Sequence, residues 1–172
     1  MPHVLIVAGP NGAGKTTYAR AVAARWPAVV FINADEIARR APVQFDRKRV
    51  SLWAAHRMIE TLANHLEARD DIMLETTLAT RRYLGAIPQW KALGYDVELH
   101  FLRLPSVAAA IARVGRRVAA GGHDIPRQDI ERRFHRGLEY LALYKPAVDQ
   151  WALFDNSDDG LELVMMGTRD ER

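Results

Sequence analysis

Cysteine is missing from all 172 residues, so neither a disulfide framework nor a thiolate metal site is open to this chain. Internal repeats, low-complexity tracts and linkers are also missing, which removes solenoid and multi-domain readings. The apolar stretch near the start is too short for a signal-peptide core. A cytoplasmic protein with no membrane association is expected. Excess charge is slight: 24 basic against 21 acidic residues give +3, and a general nucleic-acid surface does not follow from that. What remains is 49% hydrophobic content, enough for the core of one domain over residues 1–172.

Apolar runs of strand length alternate with amphipathic stretches of helix length. Strands are expected at Val4–Ala8, Val29–Asn33, Ile72–Glu75, Glu98–Arg103, Leu153–Asp155 and Leu161–Met165. One helix is expected from Lys15 to Arg25, ending before Pro27. A second runs from about Arg49 to Arg69, with Leu52, Ala55, Ile59, Leu62 and Leu66 as its apolar stripe. Runs such as Val4–Ala8, apolar without alternation, suit parallel strands covered on both faces. The expected class is three-layered α/β with a mostly parallel central sheet.

Between the first strand and the first helix stands Gly9-Pro10-Asn11-Gly12-Ala13-Gly14-Lys15-Thr16, a full G-x-x-x-x-G-K-[ST] match followed by Thr17. The glycines let backbone N–H groups turn inward around phosphate, and the helix N-terminus adds its positive end. Lys15 can reach the β/γ-phosphates and Thr16 can hold Mg²⁺. The cofactors so implied are ATP and Mg²⁺.

In such a sheet ligands gather at the carboxyl ends of the strands, and three of those ends carry acids. Asn33 and Asp35 follow the second strand; Asp35 suits a proton acceptor, or else the N-cap of a helix. Glu75 follows the third strand, where a metal or substrate contact competes with capping of a helix beginning near Thr80. After the fifth strand, Asn156 or Ser157 would meet the base of the nucleotide, unless the segment is simply a turn. Arginines then cluster between Arg113 and Arg136 around Gly121-Gly122-His123. Two arginine faces about a glycine pair suit a lid that closes on a transferring phosphoryl group, with Arg113, Arg117 and Arg133 as the phosphate contacts.

Residues 8–17, Asn33-Ala34-Asp35-Glu36-Ile37, Glu75-Thr76-Thr77, and Gly121-Gly122-His123-Asp124-Ile125-Pro126 with Arg132-Arg133-Phe134 together resemble the zeta-toxin-like kinase family. The resemblance spans almost the whole chain. It implies an ATP-dependent kinase acting on a hydroxyl of a sugar nucleotide such as UDP-N-acetylglucosamine, with a protein antitoxin as a partner in some members. Lys15 and Thr16 would serve nucleotide and Mg²⁺, Asp35 would accept the proton, Glu75 would belong to the metal or substrate region, and Arg113 would clamp phosphate. Asn33, Thr76 and His123 would complete the substrate side. The pattern departs at His123, where longer members suggest another arginine, so Arg117, Arg132 or Arg133 would supply the second clamp. Three other readings share the phosphate apparatus: a kinase for a different small hydroxyl compound, a P-loop ATPase or switch, and a nucleic-acid-end kinase. The scarcity of aromatic residues beside the arginines weighs against the last.

Overall fold

The computed structural model describes residues 1–122, 124–157 and 160–169. Six strands form one sheet: β1 (His3–Ala8), β2 (Val30–Asn33), β3 (Ile72–Thr76), β4 (Asp96–Arg103), β5 (Gln150–Asp155) and β6 (Glu162–Thr168). Their order is β2-β3-β1-β4-β5-β6. All pairings are parallel except that of β6 with β5. Every β1 residue from Val4 to Ala8 is buried, as expected of a central strand with both faces covered. The helices are α1 (Lys15–Ala23), α2 (Ala34–Ala38), α3 (Arg47–Ala68), α4 (Arg82–Ala92), α5 (Val107–Ala119) and α6 (Arg127–Tyr144). Among the described residues no helix is long and apolar enough to cross a membrane.

Two cores flank the sheet. On one face Leu5, Val7, Met73 and Leu102 pack with Ala19 of α1 and with Ala110 and Val114 of α5. On the other, Ile6, Leu74, Val97, Leu99 and Phe101 pack with Met58 and Leu62 of α3 and with Tyr83, Ile87 and Trp90 of α4. Helix α6 belongs to both: Ile130 and Phe134 near its start lie in the first core, while Tyr140, Leu141 and Tyr144 near its end lie in the second. It therefore crosses the carboxyl ends of the strands. At the crossing a Cβ on Gly137 would stand 2.8 Å from the Thr77 carbonyl oxygen, so only glycine allows so close an approach.

The expected elements form, with one change of face. Helix α3 buries Ala54, Met58 and Leu62, whereas Leu52 and Ile59 are 55% and 47% exposed. An i, i+4 row of smaller and more flexible side chains faces the sheet instead of the bulkier row expected from the sequence.

Candidate functional site

The phosphate loop is built where the motif requires it. Gly9, Gly12 and Gly14 have φ of 141°, 81° and 83°, and Gly14 is the left-handed N-cap of α1. Close packing adds a second reason for glycine: a Cβ on Gly9 would sit 2.2 Å from the Leu102 carbonyl oxygen, and one on Gly12 2.9 Å from Arg113 Cβ. Lys15 is buried and its Nζ donates to the Pro10 carbonyl oxygen at 2.9 Å. Burial lowers its pKa; the Glu75 and Asp35 carboxylates work in the opposite direction, and Arg117 and Arg133 reinforce the lowering. A buried ammonium beside a glycine-rich loop at a helix N-terminus is a donor set that fits a polyphosphate.

Glu75 is the hub of the site. Its carboxylate accepts from Thr16 Oγ1 at 3.0 and 2.9 Å and from Asn33 Nδ2 at 2.6 Å. Burial raises its pKa, opposed by the Lys15 charge and the Thr16 hydroxyl. A hydroxyl beside one carboxylate is a hard-oxygen set suited to Mg²⁺, which keeps several waters and takes phosphate oxygens as well; Thr16 and Glu75 would hold it. Helix capping, the other reading of Glu75, is not its task, since α4 starts at Arg82 with Arg81 as N-cap. Nor does Asp35 cap. Asn33 is the N-cap of α2, its Oδ1 accepting from the backbone N–H groups of Asp35 and Glu36.

Asp35 faces two adjoining cavities. One, of about 400 Å³, is bounded by Asn11, Lys15, Asn33, Glu75, Thr76 and Arg133 among others. The second, of about 370 Å³, is bounded by Asp35, Arg39, Ser51, Arg117, Asp129 and Arg133. The structure thus brings Lys15, Asp35, Glu75, Thr76, Arg117 and Arg133 to one cleft. Arg113 lines neither cavity; it packs on Gly12 and donates from Nη2 to the Ser157 carbonyl oxygen at 3.2 Å. Arg132 pairs with Asp129, and Arg116 and Arg136 are exposed. His123 lies outside the described residues.

Two expected elements also have structural tasks. Asn156 donates from Nδ2 to the Ala13 carbonyl oxygen at 2.9 Å and so braces the phosphate loop. The Gly121-Gly122 pair closes α5 in a Schellman motif: Gly121, at φ 85°, donates to Val118 O and Gly122 donates to Arg117 O. The pair caps a helix as well as turning the chain. Sequence reasoning missed Tyr144, whose hydroxyl donates to Thr80 O at 2.9 Å and accepts from Leu84 N at 3.1 Å. These bonds tie α6, which carries Arg133, to the loop after β3; partners some 60 residues away leave no local signal.

The family model described as the AAA domain matches residues 4–138. This chain belongs to the AAA domain family. No curated protein gives a significant match. Among solved structures, a chain from the PezAT chromosomal toxin–antitoxin system of Streptococcus pneumoniae superposes on this AAA-domain protein with a TM-score of 0.64 at 19% identity, over 96% of this chain and 72% of that one. A chain of the AvrRxo1-ORF1:-ORF2 complex with ATP gives 0.68 at 17% identity, over 99% and 60%. A chain of the Pnkp1/Rnl/Hen1 RNA repair complex gives 0.66 at 20% identity, over 83% and 46%. This AAA-domain protein therefore spans less than two thirds of the latter two. At these identities the likeness is one of fold, and it bears out the expected α/β P-loop architecture.

Proposed function

We propose that this AAA-domain protein is an ATP-dependent kinase that transfers the γ-phosphate to a hydroxyl of a small molecule, with a sugar nucleotide such as UDP-N-acetylglucosamine as the favoured acceptor. One observation carries the reading: the carboxylate of Asp35 borders the same cleft as Lys15, Glu75 and Arg133. A phosphate cradle alone would serve a switch; an aspartate and arginines lining the same cleft favour transfer to a hydroxyl. Bound Mg²⁺ would neutralise charge on the β- and γ-phosphate oxygens. Lys15 and the loop amides orient the phosphates, Asp35 accepts the acceptor's proton, and Arg117 and Arg133 balance the charge of the phosphoryl group in flight. Thr76 lines the acceptor side, where the hydroxyl must be held in line with the phosphate. The likeness to a chain of a toxin–antitoxin system supports a protein antitoxin as a further partner, one that would have to cover the phosphate loop or the acceptor cleft.

The test is ATP consumption by the purified protein with Mg²⁺, alone and with UDP-N-acetylglucosamine, with products read by mass spectrometry. One phosphate added to the sugar nucleotide, with matching ADP, is the expected result. Lys15→Ala should abolish turnover, whereas Asp35→Ala should keep nucleotide binding and lose transfer. Normal transfer by Asp35→Ala would show that Asp35 is not the proton acceptor. ATP binding with no phosphorylation of that acceptor discards the favoured substrate and leads to other hydroxyl compounds, and hydrolysis indifferent to every acceptor points to a switch.

A further inference from the structure

Asn33 ends β2 and is 6% exposed. Its Oδ1 accepts from Asp35 N at 2.7 Å and Glu36 N at 3.3 Å, while its Nδ2 donates to Glu75 Oε2 at 2.6 Å. The partners dictate the amide's orientation, since the oxygen faces two donors and the nitrogen faces a carboxylate. Capping a helix asks only for an oxygen, which serine or aspartate supplies equally well. An amide is needed for the second task, donation to Glu75.

That donation completes a line across three strand ends. Asn33 stands directly opposite Glu75 in the β2–β3 pairing, and Glu75 stands opposite Val7 of β1, just before the phosphate loop. Thr16, next to Lys15, donates to the same carboxylate. A charge-assisted bond at this length in a mostly buried site is both strong and directional. The backbone of Asp35 is thus linked to the phosphate loop through three hydrogen-bonded side chains.

We propose that Asn33 is a positioning residue: it ties the backbone of Asp35 to Glu75, and through Glu75 to Thr16, so that occupation of the phosphate loop is felt at the proton acceptor. The catalytic consequence rests on the kinase reading above; the structural linkage does not.

The experiment uses Asn33→Ser, which keeps a capping oxygen and removes the amide donor, beside Asn33→Ala, which removes both. Hydrogen exchange of the Asp35 and Glu36 amides is measured with and without Mg²⁺·ADP, along with its Kd. In the wild type, Mg²⁺·ADP should alter protection of those two amides. In Asn33→Ser the alteration should vanish even at saturating Mg²⁺·ADP, whose Kd rises roughly 10-fold because Glu75 loses a supporting donor. Where acceptor turnover is measurable, kcat at saturating Mg²⁺·ATP should fall roughly 10- to 100-fold, the scale of a displaced reacting group. The proposal is overturned if the wild-type amides ignore Mg²⁺·ADP, if Asn33→Ser responds as the wild type does, or if Asn33→Ser turns over normally and only Asn33→Ala is impaired. A wild type that binds Mg²⁺·ADP yet phosphorylates no acceptor defeats the kinase reading, and the exchange data then decide the linkage alone.

Discussion

Replacing Tyr144 by phenylalanine removes one oxygen atom and nothing else. That residue is fully buried, and its hydroxyl holds two partly buried groups. The first is the N–H of Leu84, third residue of α4, one of the amides that every helix leaves without an internal partner. The N-cap of α4, Arg81, offers no side-chain bond to this end, so the hydroxyl from α6 caps it from outside, at 3.1 Å. The second is the Thr80 carbonyl oxygen, at 2.9 Å. A hydrogen bond that water can replace in part contributes about 0.5–1.5 kcal/mol, and Thr80 is exposed, so the variant should lose roughly 1–2 kcal/mol. For a chain of this size that corresponds to a fall in Tm of roughly 2–8 °C. Urea unfolding followed by circular dichroism reads the loss as a lower midpoint at unchanged slope. A loss below about 0.5 kcal/mol would mean that water satisfies both groups, and the helix-capping argument would fail with it.

Other expectations follow from single contacts. Gly9→Ala places a Cβ 2.2 Å from the Leu102 carbonyl oxygen at a φ of 141° and should yield a poorly folded chain, whereas a Cβ on Gly85, in α4, meets nothing within 4 Å, so Gly85→Ala should stabilise by about 0.5–1 kcal/mol; thermal melts of the pair check both signs. Glu98 accepts from His100 and His3, and these bonds hold its pKa at about 2, down from 4.5. Its folded value lies below its unfolded one, so its contribution is complete above about pH 4.5 and fades as pH falls toward 2. His3 is shifted up from 6.5, first by its bond to Glu98 and against the effect of burial; its contribution is complete below 6.5 and is lost as pH rises through the raised value. Glu98→Gln should flatten both limbs of the urea midpoint against pH, and an unchanged profile would show that the cluster does not set it.

Much of this was legible beforehand because it is written locally. The phosphate loop needs glycine, lysine and threonine at set spacings between a strand and a helix, and no tertiary contact is required to see it. Strand identity followed from apolar runs bounded by polar residues. Harder to read was the division of labour where two polar residues stand side by side. Asn33 and Asp35 can each cap a helix, and only the backbone shows that Asn33 does so and leaves the Asp35 carboxylate at the cleft. In α3 both apolar rows have helical spacing, and the fit of Ala54 and Met58 against the sheet selects between them. Asn156 bracing Ala13, 143 positions earlier, is a consequence of folding that no local pattern announces.

The passage of α6 from one core to the other has a consequence for how such a protein can diversify. Change in a pocket is easiest when the wall that chooses the guest is separate from the machinery that acts on it. Here Gly137 and Tyr144 press the helix bearing Arg133 onto the segment 77–84, so a substitution that reshapes this wall also displaces a guanidinium group in the cleft. Drift toward a new guest would therefore proceed more freely through the small side chains that α2 and α3 bring to the cleft, Ala38 and Ala55.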